Sequence, residues 1–224
     1  MLISFYKNRE KTALNTSLAQ VFDEMGNSVI LRGTPVKQDK DDRRPYLDSY
    51  QAETLLSQAL NEYKIAMGNL PSRLVLHKSS AFRDSEKEAF EGVAYNCGIQ
   101  KIDFVSIRDS SFRLFRKGLY PPYRGTLVNF DEGLCNLYTR GSIEYYETYP
   151  GVYIPEPIEV DARDADMSPT RICEEILALT KMNWNNTQFD GKYPITIECA
   201  RRVGQVMKYL QESDKPQIKY SYYM

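Results

Sequence analysis

The first thirty-three residues set the tightest limit on what this chain can fold into. Three runs rich in apolar residues follow one another: Leu2-Ile3-Ser4-Phe5-Tyr6, Leu18-Ala19-Gln20-Val21-Phe22 and Ser28-Val29-Ile30-Leu31-Arg32-Gly33. A polar loop, 7–16, and a turn-forming stretch, 23–27, separate them. Parallel neighbours need a crossover of a dozen or more residues, usually helical. These connections are shorter, so the three strands are predicted to form an antiparallel meander.

Helical and extended patterns then alternate. A charged loop, 37–44, precedes a helix over 48–63, with Ala52, Leu55, Leu56, Ala59, Leu60 and Tyr63 at helical spacing. A fourth strand follows at 73–77. Ser85 with Glu88 reads as a capping box for a second helix, which Gly98 closes. A fifth strand is expected at 102–107, then a hairpin of 124–130 and 134–139 around Asp131-Glu132-Gly133, and an extended stretch over 151–160. Ser168-Pro169 opens a helix to about residue 181. Residues 183–192 read as a loop. Pro194 begins a last helix with Ala200, Val203, Val206, Met207 and Leu210 on one face. Three antiparallel strands, then helix, strand, helix, strand, is the order of an α/β ribonuclease H-like fold, a mixed central sheet flanked by helices.

Composition narrows the function. A chain of 224 residues suits one sizeable domain. The single His excludes any mechanism or metal site that needs two. Cys97, Cys135, Cys173 and Cys199 form no CxxC pair and read as buried free thiols in a reducing compartment. No apolar run is long enough to cross a bilayer, and the first residues lack the order of a signal peptide, so cytoplasm is the expectation. The net charge of −1 argues against an obvious nucleic-acid binder, but it hides blocks. Lys101, Arg108, Arg113, Arg116, Lys117 and Arg124 face only Asp103 and Asp109 within 101–124. Residues 131–166 are acidic, and 181–208 are again basic.

Several stretches in order resemble the PIWI domain of prokaryotic Argonaute proteins. They are Ile3-Ser4-Phe5-Tyr6, Ala19-Gln20-Val21-Phe22-Asp23, Pro71-Ser72-Arg73-Leu74-Val75-Leu76-His77-Lys78 and Arg124-Gly125-Thr126. Leu137-Tyr138-Thr139-Arg140-Gly141, Pro155-Glu156-Pro157, 179–186, Tyr193-Pro194-Ile195-Thr196-Ile197 and Cys199-Ala200-Arg201 complete the set. The resemblance implies one PIWI domain over 1–224, with the MID domain absent from the chain. It implies a guide RNA or DNA and its complementary target as partners, a MID domain or MID-bearing chain, an effector protein, and a role in prokaryotic defence.

Cutting members of that family hold two divalent metals on carboxylates, one on the first strand, one after the fourth, and a further ligand on the last helix. Those positions fall at Ser4, Ser79 and Arg201. Hard cations need several converging oxygen ligands of suitable charge. Hydroxyls serve poorly and a guanidinium repels cations, so the expectation is a catalytically inactive domain with no catalytic cofactor. A metal-dependent nuclease using other carboxylates, such as Asp23, Asp48 or Glu53, is the competing reading. A third reading is a module that docks a protein through the acidic block, with Glu144, Glu147 and Glu156. His77 as a base for Ser79 or Ser80 is weighed against a structural histidine at a strand end, which is preferred.

The resemblance places guide phosphates at the loop before the last helix and at that helix's N-terminus. A helix N-terminus favours anions through its unpaired N–H groups and its dipole. Lys181, Asn183, Asn185 and Lys192 are the candidates there, with Arg201, Arg202 and Lys208 on the helix and Arg113, Arg116 and Lys117 in the basic segment. Trp184 reads as a packing anchor. Met224 is the candidate for a C-terminal carboxylate holding Mg²⁺ at the guide 5′-phosphate pocket.

Overall fold

The computed structural model describes residues 1–7, 14–22, 28–31, 33–36, 45–115, 117–118, 121–146, 154–182 and 191–209. The chain forms two compact units, Met1–Phe104 with Thr196–Met224, and Val105–Ile195.

In the first unit the meander is present. Strands β1 (Leu2–Lys7), β2 (Leu14–Phe22) and β3 (Ser28–Leu31) are antiparallel, and a short β4 (Pro35–Val36) also pairs with β2. β2 begins at Leu14 rather than 18, because backbone pairing continues through the polar Asn15 and Thr16. A register shift after Ser4 marks a bulge: Ser4 faces Leu18 but Phe5 faces Thr16. The Pro35–Val36 pairing carries no apolar run, so it is not visible as a strand in the sequence. Proline is tolerated in such marginal positions.

Helix α1 (Ser49–Met67) is capped at Asp48, whose carboxylate accepts from the Gln51 N–H at 2.8 Å. It ends at Gly68, whose φ of 79° suits glycine. The helix runs past residue 63: Ile65, Ala66 and Met67 are apolar but exposed, so this last turn does not continue the buried stripe. Ala52, Leu55, Leu56, Ala59 and Leu60 are buried, as their spacing predicts. Strand β5 (Arg73–Lys78) lies parallel to β1, with Leu2 opposite His77 and Ile3 opposite Lys78.

Helix α2 (Asp84–Asn96) starts earlier than the Ser85/Glu88 pattern predicts. Glu86 is the residue that reaches back, accepting from the Arg83 N–H at 2.8 Å, while Glu88 is exposed. Strand β6 (Lys101–Asp109) follows. The strand order is β3-β2-β1-β5-β6, with parallel and antiparallel pairs, as the ribonuclease H-like reading requires. Ile3, Leu56, Leu76, Phe90 and Phe104 belong to one buried core. Helix α4 (Ile195–Met207) buries Ile197, Ala200, Val203 and Met207. Val206, expected on that face, is 43% exposed, and Leu210 lies outside the described residues.

In the second unit, β7 (Leu127–Asp131), β8 (Leu134–Leu137) and β9 (Ile158–Asp164) pair antiparallel in the order β6-β9-β8-β7. The extended stretch expected over 151–160 is therefore shifted onward, and 151–153 lie outside the described residues. At the hairpin, Gly133 has φ 90°, and a Cβ there would meet the Arg163 backbone at 2.8 Å. Only glycine allows that approach. Buried Ile158, Val160 and Ala162 alternate along β9. Helix α3 (Pro169–Leu179) packs on that strand, burying Ile172, Cys173 and Ile176, with Ser168 as its N-cap. All four cysteines are free, three of them buried.

Candidate nucleic-acid interface

The three positions singled out in the sequence come together. Ser4 on β1, Ser79 just past β5 and Arg201 on α4 line one open cleft of about 460 Å³. Leu2, Phe5, Tyr6, Ile197, Ala200, Gly204, Gln205 and Lys208 complete the lining. Strand alternation puts Leu2, Ser4 and Tyr6 on one face of β1. Helical spacing puts Arg201 and Gln205 on one face of α4, and Lys208 lies just past its end. Among the described residues, the lining holds two cations and no carboxylate. Among the described residues, no group of three or more His, Cys, Asp or Glu could hold a metal ion. The described donors, hydroxyls and cations, are not a set that fits hard divalent ions.

The carboxylates considered as replacements are placed elsewhere. Asp48 caps α1, Glu53 is exposed on the same helix, and Asp23 lies outside the described residues. His77 is buried, with Nδ1 3.1 Å from the Thr196 hydroxyl of α4. Burial above all holds its pKa down to about 3, so it is neutral at ordinary pH. Ser79, by contrast, is exposed. The structural reading of His77 fits this placement: it ties β5 to α4.

Beneath the cleft is a feature without a sequence signature. The Lys78 ammonium is fully buried, 2.6 and 2.7 Å from the two Glu86 oxygens, and it stacks over Phe5 and Phe82. Glu86 also accepts from the backbone N–H groups of Leu47 and Arg83, each at 2.8 Å. Burial pushes the lysine pKa down and the carboxylate opposes it. An i to i+8 pair between a strand and a helix has no periodicity that would reveal it.

In the second unit three of the candidate cations, Arg108, Arg113 and Lys192, already have carboxylate partners. Arg113 bonds Glu156 and the carbonyls of Ser110 and Phe112. The Lys192 ammonium lies 2.7 Å from Asp109 and 3.2 Å from Glu156, and the Tyr193 hydroxyl donates to Asp109. Burial works against the Lys192 charge, but the two carboxylates outweigh it and raise its pKa. Arg108 pairs with Glu159 at 2.7 Å. Arg124 serves the end of α3, donating to the Leu177 carbonyl and the Thr180 hydroxyl. Lys117 and Lys181 are exposed, and Arg202 on α4 is half-buried. Arg116, Asn183, Trp184, Asn185, Glu147 and Met224 lie outside the described residues. Glu144 is exposed, while Glu156 is engaged internally.

No family model matches this sequence. No curated protein matches it significantly. Solved structures do. The Argonaute of Clostridium butyricum, bound to a guide DNA and a 19-mer target DNA, matches with a TM-score of 0.72 at 16% identity, over 95% of this chain and 27% of that one. The A. aeolicus Argonaute matches at 0.67 and 17%, over 100% and 30%. The Marinitoga piezophila Argonaute in complex with a 5′ OH guide RNA matches at 0.62 and 13%, over 100% and 31%. The chain thus spans less than a third of the length of these neighbours. Among the described residues, no helix is long and apolar enough to cross a membrane. The chain has the ribonuclease H-like fold of the PIWI portion of prokaryotic Argonaute structures.

Proposed function

We propose that this chain is a PIWI domain that binds a guide–target duplex by its backbone and does not cut it. The observation that carries the reading is the single cleft lined by Ser4, Ser79 and Arg201. Two-metal hydrolysis needs converging anionic ligands to hold hard cations and activate a water. This cleft offers hydroxyls and positive charge instead. The structural neighbours caught with a guide strand, in one case with its target, support the choice of ligand. Sequence specificity would come from base pairing, with the protein reading backbone shape and charge, as in other guided systems.

In this reading a MID domain or MID-bearing chain completes the grip on the guide 5′ end, with Mg²⁺ as the ion of that pocket. The output passes to an effector in cytoplasmic defence. The test is a titration of the purified chain against a 5′-phosphorylated guide annealed to its target, at several salt concentrations, followed by incubation with Mg²⁺ or Mn²⁺. The expected result is salt-dependent binding and an intact target. Binding indifferent to salt, or a cleaved target that chelator protects, refutes the reading.

A further inference from the structure

We infer that Lys78 and Glu86 are positioning residues for the cleft: their buried pair fixes the connection over 79–83, which carries Ser79, and thereby raises duplex affinity. The inference rests on the duplex-binding reading and deepens it. Both side chains are fully buried, so they act on the site through other residues. Lys78 ends β5, and Ser79, next in the chain, is exposed and lines the cleft. The same ammonium stands 5.6 Å from the centre of the Phe5 ring, within reach of a cation–π contact. Phe5 is a second lining residue, on β1. One buried cation therefore touches two walls of the cleft.

The connection itself is tied down along its length. The Lys78 ammonium donates to the Ala81 carbonyl at 3.2 Å as well as to both Glu86 oxygens, which uses its three donors. Glu86 accepts from the Arg83 N–H at the far end of the connection. The Ser80 hydroxyl donates to the Pro45 carbonyl at 3.3 Å, and the Arg83 guanidinium stacks 3.4 Å over the Tyr46 ring. Glu86 also holds the Leu47 N–H, so residues 45–47 and 79–83 are fastened to each other. A buried ion pair is weak evidence for stability, because desolvation offsets the attraction and an apolar pair often serves as well. An apolar pair could not hold the Ala81 carbonyl and the Arg83 N–H. What the charges add is direction: Ser79 is presented in one place before any ligand arrives. A segment already ordered spares the complex the cost of ordering it.

The experiment compares the whole chain with Lys78→Met/Glu86→Gln. This variant removes both charges, keeps the net charge, and leaves an amide oxygen for the Leu47 and Arg83 N–H groups. Melting temperature, amide hydrogen exchange and duplex affinity across salt are measured. The melting temperature is expected within a few degrees of the parent's, as for other buried pairs replaced together. Exchange is expected to quicken over 79–83 alone. Affinity should fall about three- to tenfold, the cost of ordering one or two side chains on binding. The slope of log affinity against log salt should not change, because no phosphate contact is lost. If the double variant does not fold, the same measurements on Ser80→Ala, which releases the connection from Pro45 and keeps the pair, decide by the same outcomes. Parental affinity overturns the inference, as does parental exchange over 79–83. So does quickened exchange throughout the chain, which makes the pair a general support, or a changed salt slope, which makes it act through charge. Each of these leaves the duplex-binding reading standing. Absence of salt-dependent binding by the parent chain removes both.

Discussion

Acidification from pH 7.5 to pH 5 is expected to remove about 2 kcal/mol of stability through His77 alone. In the unfolded chain an imidazole takes its proton near pH 6.5. In the folded protein His77 is buried against Thr196 and stays neutral down to about pH 3. Between those values the unfolded state binds the extra proton, so falling pH favours unfolding. This contribution is fully present above about pH 6.5 and declines by about 1.4 kcal/mol per pH unit below it. It levels off once the pH falls through about 3. The Met1 amine, which burial lowers from 8.0 to about 5, also costs stability over this range, so the His77 share is read as the difference between the parent and a variant without the imidazole. Urea unfolding at constant ionic strength gives the profile, and the lone imidazole C2–H resonance gives the folded pKa directly. His77→Gln, which cannot take the proton, should lessen the fall below pH 6.5 by about 1.4 kcal/mol per pH unit. Parallel profiles for the two proteins, or a folded imidazole titrating near 6.5, would refute the reasoning.

Three further outcomes follow from other contacts. Glu86→Ala strands the buried Lys78 ammonium and frees the Leu47 and Arg83 N–H groups, and should cost about 3–5 kcal/mol in a denaturant melt; a loss under about 1 kcal/mol would mean the pair is solvated. Glu156→Gln loosens Arg113 and Lys192 and should raise duplex affinity two- to fivefold, roughly the worth of a surface ion pair, while an unchanged anisotropy titration would make those pairs purely structural. Gly191→Ala places a Cβ 2.8 Å from the Thr180 carbonyl oxygen and should lower stability by about 1–3 kcal/mol; an unchanged melting temperature would show that the backbone there yields easily.

Much of the architecture was legible because it is written in local rules. Short connections forced the meander, apolar spacing marked the buried face of α1, and Ser168-Pro169 marked the start of α3. The misses are places where backbone pairing or exposure leaves no side-chain trace. Asn15 and Thr16 are polar yet paired in β2, and the last turn of α1 is helical without an apolar residue turned inward. The cap of α2 was misread because Glu86 serves both the helix end and a buried lysine. Ser4, Ser79 and Arg201 are singled out by the ordered resemblance, which carries positional information that composition lacks, and the structure shows them lining one cleft. The partners of Arg113 and Lys192 were hidden because Glu156 and Asp109 lie far along the chain, and charge counting treats distant opposite charges as unpaired.

The cleft also bears on how such a chain can change over generations. Hard cations need several oxygen ligands converging with suitable charge, so their binding is cooperative in the residues that supply it. A carboxylate at Ser4 or Ser79 alone would share the cleft with Arg201 and Lys208, whose charges oppose a bound cation. Arg201→Asp alone would leave one acid beside Lys208 and two hydroxyls. Neither change alone supplies the ligands that a hard cation needs, so a metal site here could be built only by several substitutions together.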